Sequence, residues 1–183
     1  MAKKIKTQFK DVKAWIIAAK TGYVTKQEML ELNISEGRMA WMCNADIIKQ
    51  DKERSDVFIL TTAWKREMEK SHGITKCYNY QSYAHDRHIH SKYMSLSDRE
   101  RYTWKTESEA RIEARERMQE QRDYKYLQML EKDFISSVDA VYTNAEGKEI
   151  AFEVITGNYR QKQCDSKFAF CQYMGYTPEI VEV

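Results

Sequence analysis

Proline is nearly missing from this chain: among 183 residues only Pro178 is present, and there are only six glycines. Such a chain has no proline-rich spacer and no Gly/Ser tether, so any internal boundary rests on short polar segments. The four cysteines, Cys43, Cys77, Cys164 and Cys171, are scattered and form no CxxC pair. That gives neither a thiolate zinc signature nor a disulfide framework, and the cysteines read as reduced thiols. No apolar run approaches the ~20 residues of a membrane span. The opening "MAKKIKTQFKDVKAW" has lysines but no apolar segment behind them, unlike a secretory signal. The expected location is the cytoplasm, with no membrane partner. A net charge of only +2 means that bulk charge does not predict a polyanion partner.

What is present is enough for a core and a soluble surface: 42% hydrophobic and 32% charged residues. The length suits one ordinary domain or two small ones. Lys3, Lys4, Lys6, Lys10, Lys13 and Lys20 face Asp11 in the first twenty residues. Such a patch either binds phosphates or is a solvated helix face.

Along the chain, "FKDVKAWIIAAKTGYV" places Phe9, Val12, Trp15, Ile16 and Ala19 on one helical face, and Gly22 ends it. Thr25 and Glu28 form a capping box for a second short helix, and a third opens at Ser35. "DIIKQ" and "VFILT" are short β runs joined by "DKERSD". Three short helices followed by a hairpin is the order of a winged helix. "AWKREMEKSHG" is a further helix, residues 74–98 read as mostly helical, and "RYTWKTESE" as a strand edge. A long charged helix is expected over 107–132, with i,i+4 pairs such as Glu113–Arg117, a solvent- or partner-facing first half and apolar residues Met118, Tyr126, Leu127, Met129 and Leu130. "FISSVDAVYT" and "EIAFEVI" read as an antiparallel hairpin turning at Glu146-Gly147-Lys148. A helix over 159–175, burying Phe168, Cys171 and Tyr173, and a strand "PEIVEV" complete an α/β core.

The chemistry-bearing residues fall in three places. On a winged helix the third helix would present Ser35, Glu36, Arg38 and Asn44 to a DNA groove, and the wing would offer Lys49, Lys52 and Arg54 to phosphates. Trp41 and Met42 on that helix are core or contact surface. In "HDRHIH", His85 and His88 stand three apart, a spacing able to clamp zinc, but no third ligand is evident and polar packing is the simpler reading. Tyr78, Tyr80, Tyr83 and Tyr93 read first as core filler and second as a stacking or protein-contact surface. In "DAVYTNAEGKEIAFEVITGNY", Asp139 and Glu153 lie on successive strands and resemble the metal-binding pair of PD-(D/E)xK nucleases. That resemblance implies Mg²⁺ held by oxygen ligands, with Glu107 or Glu109 completing the set. Ile155 stands where the lysine belongs, leaving Lys148 or Lys167 as substitutes. The plain alternative is that Asp139 and Glu153 are ordinary strand-end carboxylates.

The ordered set "YVTKQEML", "VFILTTAW", "HDRHIHSKYMSL", "WKTESEAR", "VDAVY" and "FEVITGNY", followed by Lys167, resembles the replication-relaxation family of plasmid, phage and conjugative-element proteins over about residues 15–175. Members typically carry "PDA" and an acid two residues after the glutamate; here Val138 and Ile155 occupy those places. The resemblance implies a winged helix joined to a nuclease-like fold, a DNA-related role for a mobile element in a bacterial cytoplasm, and a fold used for binding.

The expectation is therefore an α+β protein. Residues 1–75 form a winged helix-turn-helix; residues 76–183 form a degenerate restriction-endonuclease-like α/β domain with a long charged helix. It binds double-stranded DNA without cutting it and needs no cofactor; the expected contacts are Ser35, Arg38, Asn44, Lys49, Lys52 and Arg54. One alternative is an inhibitor of a host CRISPR effector nuclease or its guide complex, an anti-CRISPR blocking access of target DNA. A second is a Mg-dependent endonuclease in which Glu107, Asp139 and Glu153 hold the ion and Lys167 is the relocated lysine. No feature of the sequence specifies an oligomeric state.

Overall fold

The structure, a computed structural model, describes residues 7–157 and 160–183. It is mixed α+β with two sheets and divides into two compact units, one reaching Gln81 and the other beginning at Ser82. The division falls after the expected position at 75. Among the described residues no helix is long and apolar enough to cross a membrane, and none of the four cysteines is in a disulfide. Lys3, Lys4 and Lys6 of the expected basic patch lie outside the described residues.

In the first unit, helix α1 (Phe9–Thr21) begins at a capping box between Gln8 and Asp11 and stops at Gly22. Gly22 has φ +97, and a Cβ there would meet Tyr78 at 3.1 Å and the Tyr80 backbone at 3.3 Å, so both conformation and space require glycine. Strand β1 (Val24–Thr25) leads into α2 (Lys26–Glu31), where Thr25 and Glu28 form the expected reciprocal cap. Asn33, at φ 60, turns the chain toward α3 (Glu36–Asn44), capped by the Ser35 side chain. Strands β2 (Ile48–Gln50) and β3 (Val57–Leu60) form a hairpin. β1 pairs on the other side of β3, giving an antiparallel sheet in the order β1-β3-β2. Helix α4 (Thr62–Ser71) follows. The core is Trp15, Val24, Met29, Ile34, Met42, Ile48, Leu60 and Met68, with Trp15 edge-on to Trp64 at 4.9 Å. Phe9 does not join it: it is 78% exposed, because the apolar face begins only at Val12.

Residues 74–82 are not helical. They cross α1 as an extended segment held by Tyr78 N donating to Ala19 O at 2.7 Å and Lys65 Nζ to Tyr78 O at 2.8 Å. Tyr78 and Tyr93 are buried, in line with core filler.

The second unit starts with α5 (Tyr83–Ser95) and α6 (Asp98–Thr103). The expected strand edge shrinks to β4 (Lys105–Thr106), because Ser97 and Glu100 cap a helix over the segment before it. The long charged helix is two: α7 (Glu107–Glu120) and α8 (Tyr124–Glu131), broken where Arg122 takes φ 56 and Asp123 caps α8. The first half of α7 is not a solvent face, since Ala110 and Ala114 are fully buried. Glu113 pairs with Lys105 at 2.5 Å rather than with Arg117, which instead donates to Met174 O.

Strands β5 (Ala140–Thr143) and β6 (Glu149–Ile155) form the expected hairpin, α9 (Gln161–Met174) crosses over, and β7 (Thr177–Glu182) pairs parallel with β6. The sheet order is β4-β5-β6-β7. The expected start of the α9 helix at 159 lies outside the described residues. Its inner face carries Phe170, Cys171 and Met174 against Val138, Val141 and Ala151, whereas Phe168 is 47% exposed and Tyr173 half-buried. Phe168 is one position off the stripe that a 3.6-residue repeat turns toward the sheet.

Candidate functional site

The register of the hairpin places its two acids side by side. Ala140 faces Phe152, so Asp139 and Glu153 flank the last ladder pair. Each side chain serves the other strand's backbone: Glu153 Oε2 accepts from Asp139 N at 2.9 Å, and Asp139 Oδ2 from Val154 N at 2.8 Å. Both residues are 3% exposed. On β6, Ala151 and Glu153 point to the α9 side, and on α9 Lys167 sits one turn before Phe170 and Cys171. That spacing sets the ammonium over Glu153: Lys167 Nζ lies 3.0 Å from Glu153 Oε1 and donates to Ser137 O at 2.6 Å.

Helix α5 adds two residues. His85 Nε2 lies 3.5 Å from Asp139 Oδ2, and Nδ1 is 2.8 Å from Oδ1 of the fully buried Asp86. Glu107, at the start of α7, completes the group; Ser137 Oγ donates to its backbone carbonyl at 3.0 Å. Glu109 is committed to the Thr106 capping box instead.

Charge and burial compete here. Hydrogen bonds to Asp139 and then Asp86 push the His85 imidazole up to about 10 against its burial, so it is an imidazolium at neutral pH. Burial raises Glu153 first, and the neighbouring Asp139 raises it further. Burial opposes the Lys167 ammonium, but Glu153 and Asp139 outweigh it and the net shift is upward. Burial also raises Glu107. The Cys171 thiol is pushed up to about 11 by burial and then by Glu153. Several perturbed groups gathered in one buried cluster are what a functional site looks like.

The acid oxygens already have partners. Both Glu153 oxygens and Asp139 Oδ2 are engaged by backbone amides, Lys167 or His85. Among the described residues no group of three or more His, Cys, Asp or Glu is arranged to hold a metal ion. A Mg²⁺ ion, which demands near-octahedral oxygen donors, would have to displace these partners to bind Glu107, Asp139 and Glu153.

Of the residues singled out in the sequence, Glu107, Asp139, Glu153 and Lys167 come together. Lys148 is exposed in the turn at the far end of the hairpin. His85 and Asp86 were missed as members of the group; the signal was an acid beside an imidazole on α5. His88 is not a zinc partner of His85, since His85 is turned to Asp86 and Asp139 while His88 accepts from Arg87 Nε.

In the first unit the expected DNA contacts separate. Ser35 caps α3. Arg38 turns inward: Nη2 lies 2.6 Å from Oδ2 of the buried Asp11, and the guanidinium sits 3.9 Å over the Trp41 ring. Arg54 pairs with Asp56 at 3.0 Å. Asn44, Lys49 and Lys52 are exposed. The outer face of α3 is Glu36, Gly37, Ala40 and Asn44, with Glu36 paired to Lys26 at 2.6 Å. An open groove between α3 and the β2–β3 hairpin is lined by Ala40, Cys43, Asn44, Gln50, Ser55 and Phe58. Compared with protein-family models, with curated proteins and with solved structures, the chain matches none.

Proposed function

We propose that this chain binds double-stranded DNA through its first unit, used as a winged helix, and that its second unit is a nuclease-like fold whose centre is ion-paired and does not cut. The observation that carries the reading is the helix–strand–helix–helix–strand–strand order closing into a β1-β3-β2 sheet, with Lys49 and Lys52 exposed on its hairpin. A hairpin of this kind lays lysines on phosphates beside a groove-facing helix. On α3 the reading moves contact from Arg38, which holds Asp11, to Asn44 and to the small residues Gly37 and Ala40, which let the helix backbone come close. The second unit fits the same reading: an α7–β5–β6–α9–β7 core carries one acid just before β5 and one on the adjacent β6.

Lys49→Ala with Lys52→Ala tests it. DNA affinity is expected to fall at low salt, and the slope of log affinity against log salt to shrink by about two. An unchanged affinity and slope would remove the winged-helix contact. Recovery of a CRISPR effector, but no DNA-dependent partner, from nuclease-treated lysate would replace DNA binding with the inhibitor reading.

One observation favours a second reading, a Mg-dependent endonuclease: Lys167 arrives beside Asp139, Glu153 and Glu107 from α9. Metal-dependent DNA cleavage abolished by Asp139→Asn would select it.

A further inference from the structure

We propose that His85 and Lys167 are the resident cations of the Asp139–Glu153 centre, an imidazolium from α5 and an ammonium from α9 that neutralise the buried carboxylates in place of a divalent metal. The inference rests on the non-cutting reading of the second unit and not on the DNA contacts of the first.

Two carboxylates this deeply buried and this close cannot both ionise unless cations compensate them. The chain supplies one to each: His85 to Asp139 at 3.5 Å and Lys167 to Glu153 at 3.0 Å. Each cation is also fixed from behind. Asp86, fully buried, holds His85 Nδ1 at 2.8 Å, and the Ser137 carbonyl holds Lys167 at 2.6 Å. Asp139 N and Val154 N also donate to these carboxylates and so extend the β5–β6 ladder. A hard divalent ion would have to strip these partners from both acids to reach the roughly six oxygen ligands it requires. The titratable groups that act on or feel His85 include Asp86 and His88 on its own helix, Asp139 just before β5 and Glu107 from α7. Three of these are acids, and the imidazolium brings this group closer to balance.

The test uses the full chain. Thermal unfolding is followed in EDTA, in MgCl₂ and in MnCl₂, and Mn²⁺ uptake is titrated by electron paramagnetic resonance. The expected result is one melting temperature in all three media and no Mn²⁺ site that depends on Asp139. Lys167→Met and His85→Gln are each expected to lower the melting temperature by roughly 5–15 °C, because each strands a buried carboxylate. Lys167→Arg, which keeps the charge, is expected to retain most of it; a purely steric role for the side chain would make arginine as damaging as methionine. Uptake of one Mn²⁺ per wild-type chain, lost in Asp139→Asn, would overturn the proposal. So would an unchanged melting temperature in Lys167→Met. If Lys167→Met does not fold, the wild-type Mn²⁺ titration still decides. Failure of the Lys49 and Lys52 test leaves this result standing, so the two readings fail separately.

Discussion

Asp11 carries more of the first unit than its place on a lysine-rich helix suggests. It is fully buried, accepts from Gln8 N at 2.9 Å to start α1, and holds Arg38 of α3 at 2.6 Å. Asp11→Ala would leave Arg38 without its carboxylate and α1 without its cap. We expect a loss of about 2–4 kcal/mol in urea unfolding, more than an exposed ion pair would cost. The same contact commits Arg38, readable in the sequence as a base-reading arginine, to Asp11. At His85 the prediction is one of pH. Its folded value of about 10 lies above its ordinary 6.5. A raised value contributes stability in full below the ordinary value and loses it as pH rises through the folded one. Stability should therefore fall between about pH 6.5 and pH 10, and denaturant unfolding across that window should show a flatter profile in His85→Gln. Glu153, also raised, acts in the same sense at lower pH.

At the scale of elements, the caps were legible and the breaks were not. Thr25–Glu28, Ser35 and Gly22 act where the sequence places them, because a cap involves residues three or four apart. The Thr106–Glu109 box was hidden under the expectation of a strand there, yet it opens α7 with both partners buried. Thr106→Ala is expected to cost about 1 kcal/mol, read as a shift in unfolding midpoint. Gly22→Ala should cost about 1–2 kcal/mol, since the new Cβ meets both an unfavourable φ and the Tyr78 ring. The split between α7 and α8 escaped because charged residues with good helix propensity run straight through it. Only Asp123, a cap ahead of "YKYL", marked it.

The whole molecule is two units, each with a core of its own. Residues 82–183 expressed alone should unfold cooperatively, with a denaturant slope suited to their length; a non-cooperative melt would refute an independent second core. The sequence by itself determined what short range can carry: helical stripes, caps, the period-two hairpin, the mixed α+β class, and the residues Glu107, Asp139, Glu153 and Lys167. Tertiary structure alone decided what those residues meet. Lys167 reaches Glu153 because the α9 crossover lays it over β6, and His85 reaches Asp139 from a helix more than fifty positions earlier in the chain. Arg38 is drawn inward by Asp11 from another helix, and Phe168 is left outside by one step of helical phase. Each of these is a long-range packing choice, set by which faces close on which, and local propensity holds no record of it.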